Sequence, residues 1–136
     1  MRILFVCKHN VFRSQLSLAY FNKINKNKNI IADSAGIFQG KRQSPNQKKA
    51  AYDILGVRPK IQPKTISTEM LRKTDLVIIS ARNVPRTLFS TAPYVKKVIK
   101  WKLYDVLDDD YYKARKTIIK IKKHVDLLAK HLKDSK

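Results

Sequence analysis

The sequence has one cysteine, three glycines, one tryptophan and only ten acidic residues against thirty lysines and arginines. The lone Cys7 excludes an internal disulfide. Without a second thiol, His9, His124 and His131 do not complete a zinc-ligand spacing, so no metal or other cofactor is expected. No stretch approaches the roughly 18 consecutive apolar residues of a membrane helix. The start, MRILFV, runs straight into polar sequence without a cleavage-site pattern. A cytoplasmic chain with no membrane partner is the expectation. The scarcity of acid leaves a formal net charge of +20, a field that draws anionic partners. The lysines are dispersed along the whole chain, with no helix-turn-helix, zinc-finger or aromatic-rich RNA-binding pattern. The excess reads as solvated surface, which argues against nucleic acid as the partner.

What is present suits one domain, residues 1–136, long enough to bury a core without staples. RILFV at 2–6 is a short β-prone run, and SQLSLAYFNKINK then sets Leu16, Tyr20 and Ile24 at helical spacing. NIIADSAG at 29–36 predicts a second strand. SPNQKKAAYDILGV predicts a helix with Ser44 as cap, Pro45 in the first turn and Gly56 at the end. STEMLRKT gives a brief helix, DLVIIS at 75–80 a buried strand, NVPRTLFST a short helix and VKKVIKW at 95–101 a fourth strand. The last helix is expected from about Tyr111 to Lys133, its core stripe formed by Ala114, Ile118, Ile121, Val125, Leu128 and Leu132. Alternating strands and helices imply an α/β fold: a single three-layer domain around a central four-stranded parallel sheet. Ligands in such folds sit beyond the carboxyl ends of the strands, where Cys7 falls.

A strand ending at Cys7 and a helix beginning near Ser14 leave a loop whose N–H groups, with the helix N-terminus, can converge on one anion. Arg13 at the far side offers a two-pronged fork to phosphate oxygens, and its positive field favours the attacking thiolate form of cysteine. Asn10 can tie the loop, and the Ser14 hydroxyl can donate to sulfur. Together these make a nucleophile with its own anion cradle, in which inorganic phosphate or sulfate should also sit.

ILFVCKHNVFRSQ resembles the signature of the low-molecular-weight protein tyrosine phosphatases and their arsenate-reductase relatives, roughly V-C-x-G-N-x-C-R-S. DSAG at 33–36, KRQSPN and KTDLVIIS extend the resemblance over nearly the whole chain. It implies a phosphate-binding loop after strand 1, with Cys7 as nucleophile. Cys7, Lys8, His9, Asn10, Val11, Phe12 and Arg13 would hold the phosphate, with Asn10, Ser14 and Ser34 in support. His9 stands where the family has Gly, so its side chain is expected at the pocket mouth, and Phe12 replaces a second Cys. Phe38 and Tyr111 are further pocket-wall candidates.

The family takes its acid from an Asp-Pro pair, which this chain lacks. In WKLYDVLDDDYY, counting forward from Trp101 selects Asp105; counting back from Tyr111 and Tyr112 selects Asp109 or Asp110. We take Asp105, which keeps the strand-to-loop distance, and read Asp108, Asp109 and Asp110 as charges offsetting the dipole of the last helix. The catalytic set is then Cys7, Arg13 and Asp105. The implied activity is hydrolysis of phosphotyrosine protein or a small aryl phosphate through a cysteinyl-phosphate, by a monomer and without cofactor. Two alternatives stand beside it. One is arsenate reduction with an external thiol; the other is a basic polyanion- or nucleic-acid-binding module with a vestigial loop.

Overall fold

The computed structural model describes residues 1–38, 40, 42–60, 62–90 and 95–132. In chain order the elements are β1 (Arg2–Cys7), α1 (Arg13–Ile24), β2 (Ile31–Gly36), α2 (Pro45–Leu55), α3 (Thr68–Lys73), β3 (Leu76–Ser80), α4 (Thr87–Ser90), β4 (Lys97–Trp101) and α5 (Tyr111–Leu132). The expected ends of two helices at Thr91 and Lys133, and Lys41 of the KRQSPN turn, lie outside the described residues.

The sheet has the order β2-β1-β3-β4, and every pairing is parallel. Side-chain alternation sends residues of one strand to opposite faces. Ile3, Phe5, Leu76 and Ile78 pack with Leu16 and Phe21 of α1, Ala50 and Leu55 of α2, and Ile118 and Ile121 of α5. Leu4, Val6, Val77 and Ile79 pack on the other face with Val84, Phe89 and the α3 side chains Met70 and Leu71. Both faces are therefore covered, which explains why β1 and β3 read as unbroken apolar runs. The four-stranded, three-layer α/β expectation holds.

The order also locates a site. After β1 the chain moves to one side for β2 and returns to the other side of β1 for β3. The reversal opens a crevice at the carboxyl end of β1, where Cys7 ends the strand.

The helix over 45–55 forms as expected. Ser44 accepts from the Gln47 amide, the Gln47 side chain accepts from the Ser44 amide, and Gly56 closes the helix at φ 66°. Gln47 also reaches beyond its own helix. Its Nε2 donates to the Val106 carbonyl at 2.8 Å, fixing the loop after β4 against α2.

Among the described residues no helix is long and apolar enough to cross a membrane. His124 of α5 stacks on Trp101, ring centres 4.8 Å apart. Burial, and secondarily the Lys120 charge, push its pKa below the ordinary value. The neutral imidazole is favoured in the fold, so its contribution to stability is present above about pH 6.5 and lost as pH falls through the folded-state pKa. Replacement by Phe is expected to flatten this part of the acid limb. Urea midpoints from pH 7.5 to 5, read by fluorescence of the lone tryptophan, check it; parallel pH dependences in the two proteins would refute the assignment.

Candidate active site

β1 delivers Cys7 to the crevice, and the chain turns through residues 8–12 before α1 starts at Arg13. Asn10 adopts φ 54°, the only positive φ at a non-glycine residue among those described. Its short amide side chain tolerates this region and is tied at both ends. Oδ1 accepts from Ser14 Oγ at 2.8 Å, and Nδ2 donates to the Lys64 carbonyl at 3.4 Å.

Four carbonyls along this turn are taken up by neighbouring segments. Those of Cys7, Lys8 and His9 accept from the amides of Ile37, Phe38 and Gly40, and Val11's accepts from Gln43 Nε2 at 2.8 Å. Of the loop amides, only Asn10's has an acceptor among the described hydrogen bonds, and that acceptor is Cys7 Sγ at 3.3 Å. Close approach needs glycine at two positions. A Cβ on Gly36 would stand 2.7 Å from the Asn10 nitrogen, and one on Gly40 would stand 2.7 Å from the His9 Cβ.

Phe12 occupies the N-cap of α1 without a capping side chain, and the first turn holds no acid. The helix N-terminus thus presents unsatisfied N–H groups and a positive dipole end beside sulfur. Ser14 Oγ lies 3.0 Å from Cys7 Sγ. Its one proton serves either Asn10 or sulfur, so a thiolate can take it while a thiol donates to Ser14 instead.

Arg13 is 1 % exposed. Its Nη1 donates to Asn83 Oδ1 at 2.9 Å and to the Leu103 carbonyl at 3.0 Å, and Nη2 stands 3.4 Å from Asp105 Oδ2. The guanidinium thus joins the loops after β1, β3 and β4. A cavity of about 590 Å³ opens here, lined by Cys7, His9, Arg13, Asp105, Asp108 and Asp109 among others.

Other expected residues fall elsewhere. Phe38 is 56 % exposed and does not line the cavity; its ring rests against His9, with centres 6.2 Å apart. Tyr111 is not a wall either. Its hydroxyl donates to Asp53 on α2 at 2.7 Å, and its ring meets Tyr112 edge-on, which fastens the start of α5. Ser34 is buried in β2 with an unpartnered Oγ and does not join the Cys7, Ser14 and Asn10 network. Asp110 and Asp108 serve the last helix: Asp110 accepts from the Lys113 amide and Asp108 pairs with the Lys113 ammonium. Asp109 instead accepts from the Asn46 amide, so the helix end it stabilises is that of α2.

Sequence patterns alone do not single out Asn83 or Gln43, and they give Gln47 a capping role with Ser44 but not its contact to Val106. Asn83 carries one usable signal, a polar side chain just past the carboxyl end of a central strand, the same place in the sheet as Cys7.

A thiol at a strand end, inside an anion cradle facing a carboxylate, defines a cysteine-dependent phosphatase. The chain belongs to the low molecular weight phosphotyrosine protein phosphatase family, whose model matches residues 2–136. A low molecular weight protein tyrosine phosphatase from T. tengcongensis is 27 % identical with a TM-score of 0.83, covering 97 % of this chain and 99 % of that one. An arsenate reductase from Archaeoglobus fulgidus is 26 % identical with a TM-score of 0.74, covering 94 % and 98 %. A YwlE arginine phosphatase mutant with a phosphorylated active-site serine shares the fold: TM-score 0.85 at 21 % identity, covering 100 % and 98 %. No curated protein sequence matches the chain.

Inhibition by inorganic phosphate tests the clamp. Losing one hydrogen bond to Arg13 in Asn83→Ala should weaken phosphate binding by about three- to tenfold. Arg13→Lys should weaken it more, because a point charge cannot replace a planar fork. Unchanged inhibition constants in both variants would remove Arg13 from the anion site.

Proposed function

We propose that the protein hydrolyses phosphotyrosine or a related aryl phosphate through a cysteinyl-phosphate. The observation that carries this is the convergence on one cavity of Cys7, Arg13 and Asp105, beside a loop whose carbonyls are taken up by neighbouring segments. The substrate's phosphoryl group enters the loop, where amides and Arg13 hold its non-bridging oxygens. The Arg13 to Asp105 contact of 3.4 Å gives way to the dianion and frees Asp105 to face the leaving oxygen. Thiolate attacks phosphorus, the bond to the aryl oxygen breaks, and protonated Asp105 gives that oxygen its proton. The Asp105 carboxylate then takes a proton from water. The resulting hydroxide attacks phosphorus, the P–S bond breaks, and phosphate leaves with the thiolate restored.

A phenol suits this cavity better than a guanidinium leaving group. Of the two further carboxylates on its wall, Asp108 is neutralised by Lys113 and Asp109 is committed to the α2 N-terminus. The site is complete within one chain and its thiol must stay reduced, which suits a single-domain monomer in the cytoplasm. The loop is fully formed rather than vestigial. Arsenate reduction is the competing activity on the same fold, and with one cysteine in the chain it needs an external thiol.

Cys7→Ser is expected to abolish turnover of a chromogenic aryl phosphate. Asp105→Asn should cost about 10² to 10⁴ in rate for poor leaving groups and less for activated ones, while Asp109→Asn leaves turnover nearly unchanged. A rate loss that follows Asp108 or Asp109 instead would overturn the choice of acid. Arsenate supplied with a small thiol is the parallel assay, and faster consumption of arsenate than of any aryl phosphate would favour the competing activity.

A further inference from the structure

A second cavity, of about 260 Å³, lies on the other side of Asp105 and Val106 from the catalytic one. Tyr104 and one face of α5, with Lys113, Lys116, Thr117 and Lys120, complete its lining. Tyr104 is 56 % exposed, with the Arg82 guanidinium carbon 4.7 Å and the Lys120 ammonium 5.8 Å from the centre of its ring. Thr117 fixes the loop here, its hydroxyl donating to the Tyr104 carbonyl at 3.0 Å. Lys113 is neutralised by Asp108. None of the ion pairs among the described residues includes Arg82, Lys116 or Lys120. The one carboxylate in the wall, Asp105, pairs with Arg13 before substrate enters and, on the reading above, carries a proton once the phosphate displaces that contact.

We propose that this cavity is a substrate subsite that takes an acidic side chain flanking the phosphorylated residue of a protein substrate. The inference rests on the phosphatase reading above and names the substrate class it implies. Asp105 and Val106 belong to both cavities, so the partition is a single stretch of chain. Peptide residues advance roughly 3.3–3.6 Å each when extended, and a segment with its phosphorylated side chain in the first cavity brings a near neighbour over the second. Unpaired cations there steer an acidic segment and hold a carboxylate against the Tyr104 edge. Nucleic acid fits less well. The cavity admits one side-chain-sized group rather than a run of backbone phosphates, and Cys7, 2 % exposed, is reached by a phosphate carried on a side chain.

Binding to the Cys7→Ser protein of two phosphotyrosine peptides, identical but for Glu or Gln at the flanking positions, reads the subsite without turnover. The Glu peptide is expected to bind about three- to tenfold tighter at low salt, the advantage shrinking as salt is raised. Adding Lys116→Gln and Lys120→Gln should abolish the difference. The same two substitutions in the wild-type background should leave chromogenic aryl phosphate turnover within about twofold, as expected for exposed charges away from the thiol. Equal binding of the two peptides, or a difference that survives the double substitution, would overturn the proposal. So would duplex DNA that binds and loses its binding with those lysines while the peptides stay equal, which would assign the patch to nucleic acid. Failure of the wild type to hydrolyse any aryl phosphate would instead count against the phosphatase reading, and the peptide ranking would still decide the subsite.

Discussion

One buried guanidinium organises the carboxyl end of the sheet. An unpaired cation at the depth of Arg13 would cost several kcal/mol in lost hydration. It is retained because Asn83, the Leu103 carbonyl and Asp105 share its donors. Those partners lie on the loops after β3 and β4, while Arg13 itself opens α1, so satisfying one charge fixes three loops relative to Cys7. The contact to Asp105 is the longest of the three and the one at the cavity surface. It is also the one an incoming phosphate dianion can replace without leaving the cation unpaired.

The charge balance follows the same logic. Every carboxylate among the described residues already has a partner: Asp33 holds Lys64, Asp126 holds Tyr20 and Lys122, and Asp109 accepts from the Asn46 amide in the first turn of α2. With thirty lysines and arginines against ten acids, most of the positive charge has no acidic partner to pair with one for one. The anion site is nevertheless built mostly from backbone. Peptide N–H groups fixed by hydrogen bonds on the loop carbonyls keep their direction when salt screens the surface, whereas the lysine field fades over about 8–10 Å. On the proposed reading the two layers of positive charge therefore differ in role: the lysines would attract from a distance, and the loop would discriminate on contact.

Much of this is legible in the sequence because it depends on short spacings. Strand runs, the Ser44 cap with Pro45 and Gly56, the α5 stripe, and the interval from Cys7 to Arg13 each lie within one element or one loop. What stays hidden depends on pairs far apart in the chain. Arg13 to Asn83 spans 70 residues, Gln47 to Val106 spans 59, and Tyr111 meets Asp53 across 58. No local pattern separates Asn83 from any other polar residue after a strand. Asp109 shows the limit clearly: acid just before a helix suggests service to that helix, whereas the chain's path brings this one to the N-terminus of another.

Phe12 illustrates how one position can serve packing at the expense of chemistry. It is 4 % exposed and joins the core cluster with Phe5, Leu16 and Phe21, so it anchors the end of the phosphate loop by burial. An aromatic at that place cannot cap α1, which leaves the first-turn amides to an anion. Nor can it form a disulfide with Cys7, and no other cysteine exists to trap an oxidised sulfur. On the proposed reading, the apolar side chain that leaves the cradle uncapped for phosphate would therefore also leave occupancy of that cradle as the thiol's local protection.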